Sequence, residues 1–115
     1  MRDWTTVRQR YLRDKLPVRL GGLAANLARV VSFSRNPVNR EVVHSLLEES
    51  QWFIEWTARE AEVDTAARLV ELQVQLAQWQ LDWDHIWADQ GQRARVAEQC
   101  RVWSDRILDL SGLLN

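Results

Sequence analysis

Residues 65–88 carry apolar side chains on two opposite sides, and this limits the possible folds more than any other feature of the chain. Leu69, Leu72, Leu76, Trp79, Trp83 and Ile86 alternate at spacings of three and four, the seam of a helix that packs against other helices. Val70, Val74, Ala77 and Leu81 make a second strip on nearly the other side. Gln73 and Gln80 divide the strips along one edge; Glu71, Gln75, Gln78 and Asp82 divide them along the other. Asp64 is placed to cap one helix over 65–88. A rod apolar on two sides needs two layers of partners. It lies at the centre of the molecule, or one side is an interface with another chain.

The same spacing predicts four more helices. Asp3 can cap a helix over 4–15, with Trp4, Val7 and Tyr11 on one side. Pro17 interrupts, since it donates no hydrogen bond and restricts the residue before it. Leu20, Leu23, Leu27 and Val30 mark a helix over 18–34. Its small residues Gly21, Gly22, Ala24, Ala25 and Ala28 permit close approach of a neighbour, with a hinge at the two glycines as the competing reading. Asn36 followed by Pro37 signals a new start, and Val42, Val43, Leu46, Leu47, Phe53, Ile54 and Ala61 give a helix over 37–61 a broad apolar side. Asp89-Gln90-Gly91 predicts a stop, with Gly91 in the left-handed terminal position. Val96, Cys100, Trp103, Ile107, Leu110 and Leu114 then repeat the seam over 92–113, as the second arm of a hairpin with the helix before it. No segment alternates with period two. The fold class is all-α: an antiparallel helical bundle of four to five helices in one domain, residues 1–115, with a basic N-terminal helix over 1–16 and the bundle over 18–114.

Charge divides along the chain. Residues 1–40 hold nine Arg or Lys against two Asp, net +7, and residues 41–115 hold six against fourteen carboxylates, net −8. Arg8, Arg10, Arg13, Lys15 and Arg19 are the candidate anion-binding residues, for nucleic acid or an anionic membrane surface. The opposing reading pairs these cations with carboxylates of the same bundle: contact of Arg8, Arg10 and Arg13 with Glu48, Glu49, Glu55 or Glu60 would mark it. No apolar run reaches the roughly 18 residues of a membrane span, the N-terminus lacks the apolar centre of a leader, and a lone cysteine makes no internal disulfide. The expectation is a cytoplasmic protein.

Seven tryptophans in 115 residues are many. Trp79, Trp83 and Trp87 form one stripe, and Trp52 and Trp56 a shorter one. Trp combines a large apolar body with one N–H donor, which suits cores and binding hot spots alike. Trp83 and Trp103 lie on seams and read as core. Trp52, Trp56 and Trp87 lie off-centre and, with Val70, Val74 and Leu81, are the candidate protein interface. The implied partner is a second copy, as a homodimer, or another protein.

Catalytic and metal signals are weak. Glu41 precedes His44 by three, as Asp82 precedes His85, half of a di-iron bundle pattern. His44 points away from the apolar side of its helix, and residues 18–34 supply no acid. No metal or other cofactor is assigned. Cys100 sits on a seam, where a thiol is a small inert hydrophobe. Gly21-Gly22 lacks the spacing and the following Lys of a phosphate loop. No catalytic residue is assigned, and the chain reads as a non-enzymatic interaction or assembly module.

Arg19-Leu-Gly-Gly-Leu-Ala-Ala-Asn-Leu-Ala-Arg29, the Trp- and Gln-rich segment 65–88 and the ending Val102-Trp103-Ser-Asp-Arg-Ile-Leu108 resemble small all-helical proteins of cyanobacterial type. The resemblance implies the fold and no activity or site residue.

Overall fold

The computed structural model describes residues 2–113, so Leu114 of the predicted last seam lies outside the described residues. Six α-helices follow one another: α1 (Trp4–Leu12), α2 (Leu16–Phe33), α3 (Arg40–Thr57), α4 (Val63–Leu81), α5 (Trp83–Ala88) and α6 (Gln90–Ser111). Short 3-10 turns at Pro37–Asn39 and Ala58–Glu60 flank α3. The described residues contain no strand, and no helix among them is long and apolar enough to cross a membrane. Four long antiparallel helices, α2, α3, α4 and α6, make the bundle.

Local chemistry sets several boundaries where expected. The Asp3 carboxylate accepts from the backbone N–H of Thr5 and Thr6 at 3.1 and 3.3 Å and starts α1. The Asn36 side chain accepts from Val38 N–H at 3.1 Å, with Pro37 just inside the turn. Other boundaries differ. Pro17 opens α2 rather than separating two helices, because its missing N–H costs nothing in a first turn. Glu62, not Asp64, is the N-cap of α4, so Val63 belongs to the helix. Asp89 caps α6 through Gly91 and Gln92 N–H, so Gly91 is helical. The left-handed C-cap is Gly112, at φ 76°, a conformation that costs an L-residue roughly 1–2 kcal/mol.

The predicted single rod over 65–88 is broken. Asp82 leaves helical geometry at φ −113°, ψ 24° and ends α4. Beyond the break, α5 packs chiefly on α6 and buries Trp83, Ile86 and Trp87. Trp87 Nε1–H donates to the Pro37 carbonyl at 2.8 Å, and the Arg93 guanidinium lies over the Trp87 ring, 5.6 Å from its centroid. The Trp83 N–H, also buried, has no acceptor among the described residues.

The helix wrapped by the others is α2, not α4. Leu23, Leu27 and Val30 are fully buried between α3 and α6. The small residues of α2 admit α6 closely: Ser104 Oγ donates to the Ala24 carbonyl at 2.8 Å, and a Cβ at Gly21 would stand 2.7 Å from Leu113 Cδ1. The predicted hairpin of the last two long helices is therefore replaced by an antiparallel pairing of α6 with α2, while α4 packs its backbone on α3. Within the expected seams, Trp83 and Trp103 are core, whereas Val42 and Leu110 face solvent.

Candidate interaction surface

Positions 65, 69, 72, 76 and 79 of α4 face inward, and Leu69, Leu72 and Leu76 are fully buried. The outward side carries Val63, Ala67, Val70, Val74, Ala77 and Leu81, again at alternating spacings of four and three. These side chains are bare: Val63 is 83% exposed, Val70 50%, Val74 54% and Leu81 91%. The two seams have the same rhythm and differ in register by two residues, a rotation of about 200° around a helix. Val63 was not visible as a member of the outer seam, because the cap expected at Asp64 placed the helix start too late; Ala67 lay inside the predicted helix and was missed as a small residue one step before Val70. Continuing the four-three rhythm backwards from Val70 finds both.

Beside this seam runs a groove of about 670 Å³ between α3 and α4. Its α3 wall carries His44, Glu48 and Glu55; its α4 wall carries Gln73, Ala77 and Gln80, so Ala77 belongs to seam and groove together. Gln73 Nε2 donates to Glu55 at 3.3 Å and ties the walls. Trp52, 38% exposed, forms the rim.

The predicted aromatic residues have separate fates. Trp52 stacks on Trp56 at 5.7 Å and meets Trp4 of α1 at 5.9 Å. Trp56 is half-buried against Phe53 and Tyr11. Trp87 is buried by its place in α5, which takes it away from any exposed face. The aromatic cluster between α1 and α3 docks the N-terminal helix lengthwise: Tyr11 stacks on Phe53 at 3.9 Å, donates to the Arg19 carbonyl at 2.9 Å and accepts from Thr57 Oγ1 at 3.1 Å. Burial pushes the Tyr11 hydroxyl up to about 12.

The basic block is divided as well. Arg19 is buried and unavailable to an external anion. It grips Glu60 with both terminal nitrogens at 2.8 and 3.2 Å and donates through Nε to the Asp14 carbonyl at 3.0 Å. Those hydrogen bonds raise the pKa of Arg19 and lower that of Glu60. Arg2 pairs with Glu49, which also accepts from the buried Asn26 at 3.0 Å. Arg8, Arg10, Arg13 and Lys15 are exposed, and none has a carboxylate partner among the described residues. On the helical wheel Arg8 and Arg10 stand about 160° apart, on opposite flanks of the Trp4–Val7–Tyr11 side.

Cys100 is buried, and burial lifts its thiol to about 12, far from the range of a reactive thiolate. His85 is exposed, with Nδ1 2.9 Å from Asp82; His44 lies beside Trp83, ring centroids 5.8 Å apart. Among the described residues no three His, Cys, Asp or Glu side chains are placed together to hold a metal ion. Nothing matches this chain among protein-family models, curated proteins or solved structures.

Proposed function

We propose that this chain is a non-enzymatic protein-interaction or assembly module that engages a partner through the outer side of α4. One observation carries the reading: an apolar seam of six positions, in heptad rhythm, left in water along a 19-residue helix. Isolated exposed apolar residues need no explanation, but a contiguous patch marks a contact surface. Such a helix is about 28 Å long, enough to seat a partner helix along its whole length. Self-association as a homodimer is one form of this reading. The test is retention of partners from the native cells by the wild-type chain and by a Val74→Glu/Leu81→Glu variant with unchanged circular dichroism. A partner, whether the chain itself or another protein, is expected to be held by the first and lost by the second. Equal retention by both would remove α4 as the contact surface.

A basic arm for nucleic acid or an anionic membrane surface is the second reading, favoured by the unpaired Arg8, Arg10, Arg13 and Lys15. It ranks lower, because Arg8 and Arg10 stand on opposite flanks of α1, Arg13 and Lys15 lie beyond its end, and α1 itself is docked on α3. Binding to DNA or to anionic vesicles that falls steeply with salt, and is lost in an Arg8→Gln/Arg13→Gln variant, would raise it.

A further inference from the structure

The chemistry alongside the outer seam of α4 restricts what can occupy it. Glu48 and Glu55 stand on one side of α3, seven residues apart, which is two helical turns or about 10.5 Å along the axis. They line the groove that Ala77 shares with the seam. Neither has an ion-pair partner among the described residues; Glu55 accepts only the neutral amide of Gln73. Gln73 and Gln80 on the facing wall add hydrogen-bonding capacity without charge. Trp52 leaves part of its ring open at the rim, and an indole face attracts a guanidinium. A helix lying along Val70, Val74, Ala77 and Leu81 and leaning towards α3 would set one of its flanks against this row.

We infer that the occupant of the α4 surface is an amphipathic helix with a basic flank: apolar residues at heptad spacing for the seam, and Arg or Lys two turns apart for Glu48 and Glu55. This rests on the interaction reading above and adds the partner's charge to it. The apolar strip supplies the contact, and the carboxylate row selects among helices that could make it, as flanking charges do in paired helices. A second copy of this chain is a poorer fit. The flanks of its own outer seam are Asp64, Ala66, Glu71, Gln73, Gln78 and Gln80, with no cation among them.

The test uses two labelled synthetic 21-residue helical peptides, followed by fluorescence anisotropy against the full chain. Both carry Leu and Val at heptad positions; one has Arg along one flank, the other Glu at the same places. At ~50 mM salt the basic peptide should bind at least tenfold more tightly than the acidic one. Glu48→Gln/Glu55→Gln should weaken it roughly twofold to thirtyfold, the range for two exposed ion pairs. Asp105→Asn/Asp109→Asn, on α6 away from the groove, should leave it unchanged. Equal binding of the two peptides, or equal weakening by both carboxylate variants, would overturn the inference while the α4 reading stands. Dimeric mass by light scattering at micromolar concentration, lost in Val74→Glu, would assign the seam to a second copy and overturn it too. Basic-peptide binding that survives Val74→Glu unchanged would remove both the inference and the reading beneath it.

Discussion

The two sides of α4 share one rhythm and meet opposite environments. The inner side is Thr65, Leu69, Leu72, Leu76 and Trp79; the outer side is Val63, Ala67, Val70, Val74, Ala77 and Leu81. Spacing alone makes them equivalent. Size separates them: the inner residues are mostly Leu and Trp, which reach across a bundle, while the outer ones are mostly Val and Ala, which present a shallow face. A shallow apolar ridge leaves room for the close approach of another helix. A deep one must be filled by the chain's own core, because an unfilled void there forfeits packing on every wall.

Truncation on the two sides should expose that difference most strongly. Leu72→Ala removes a fully buried side chain and should cost about 2–5 kcal/mol of unfolding free energy in urea titration. Val70→Ala, on the exposed side, should stay within about 0.5 kcal/mol. Comparable losses would mean that the outer seam is packed in solution, and the contrast drawn here would fail.

Alkaline titration gives the next largest effect and reports on the interior alone. Cys100 and Tyr11 are both held at about 12 by burial, above their ordinary values of 9.0 and 10.0. A folded pKa raised above the unfolded one gives stability that is complete below the unfolded value and lost as pH rises through the folded value. Unfolding free energy should therefore be insensitive to these groups below pH 9 and fall between pH 9 and 12, by on the order of 4 kcal/mol for the thiol. Cys100→Ala should remove the earlier part of the fall and leave the part due to Tyr11. A fall that begins equally early without the thiol would show that Cys100 is not held in the core.

The smallest expected effect lies in α5, where two buried indoles differ in hydrogen bonding, Trp87 lying under Arg93 as well. Trp87 donates to Pro37 and Trp83 donates to nothing among the described residues. Trp87→Phe should destabilise by roughly 1 kcal/mol more than Trp83→Phe, the net worth of one such bond. Equal losses would mean that the break at Asp82 is not held by the Trp87–Pro37 contact.

Much of the bundle was readable beforehand because period and punctuation are local. The α2 stripe Leu20, Leu23, Leu27 and Val30, the Asp3 cap and the Asn36-Pro37 start each need only neighbouring residues. The break at Asp82 was not readable, since an unbroken seam runs through it; beyond it Trp87 meets the Pro37 carbonyl, 50 residues away. The fate of the basic block was half readable. Charge counts say that carboxylates are available to it, but only the placement of Glu60 and Glu49 selects Arg19 and Arg2 and leaves Arg8, Arg10 and Arg13 in water. The groove row of His44, Glu48 and Glu55 carries no motif, and its meaning comes from the α4 strip beside it.

By itself the sequence determined that this chain is helical, roughly where its long helices lie, and that one of them is apolar on two sides, because helical period and end chemistry act over a few residues. Only the tertiary structure decided that α2, not α4, is the central helix. The small residues of α2 admit α6 closely, so α4 packs on its neighbours with one side and leaves the other in water.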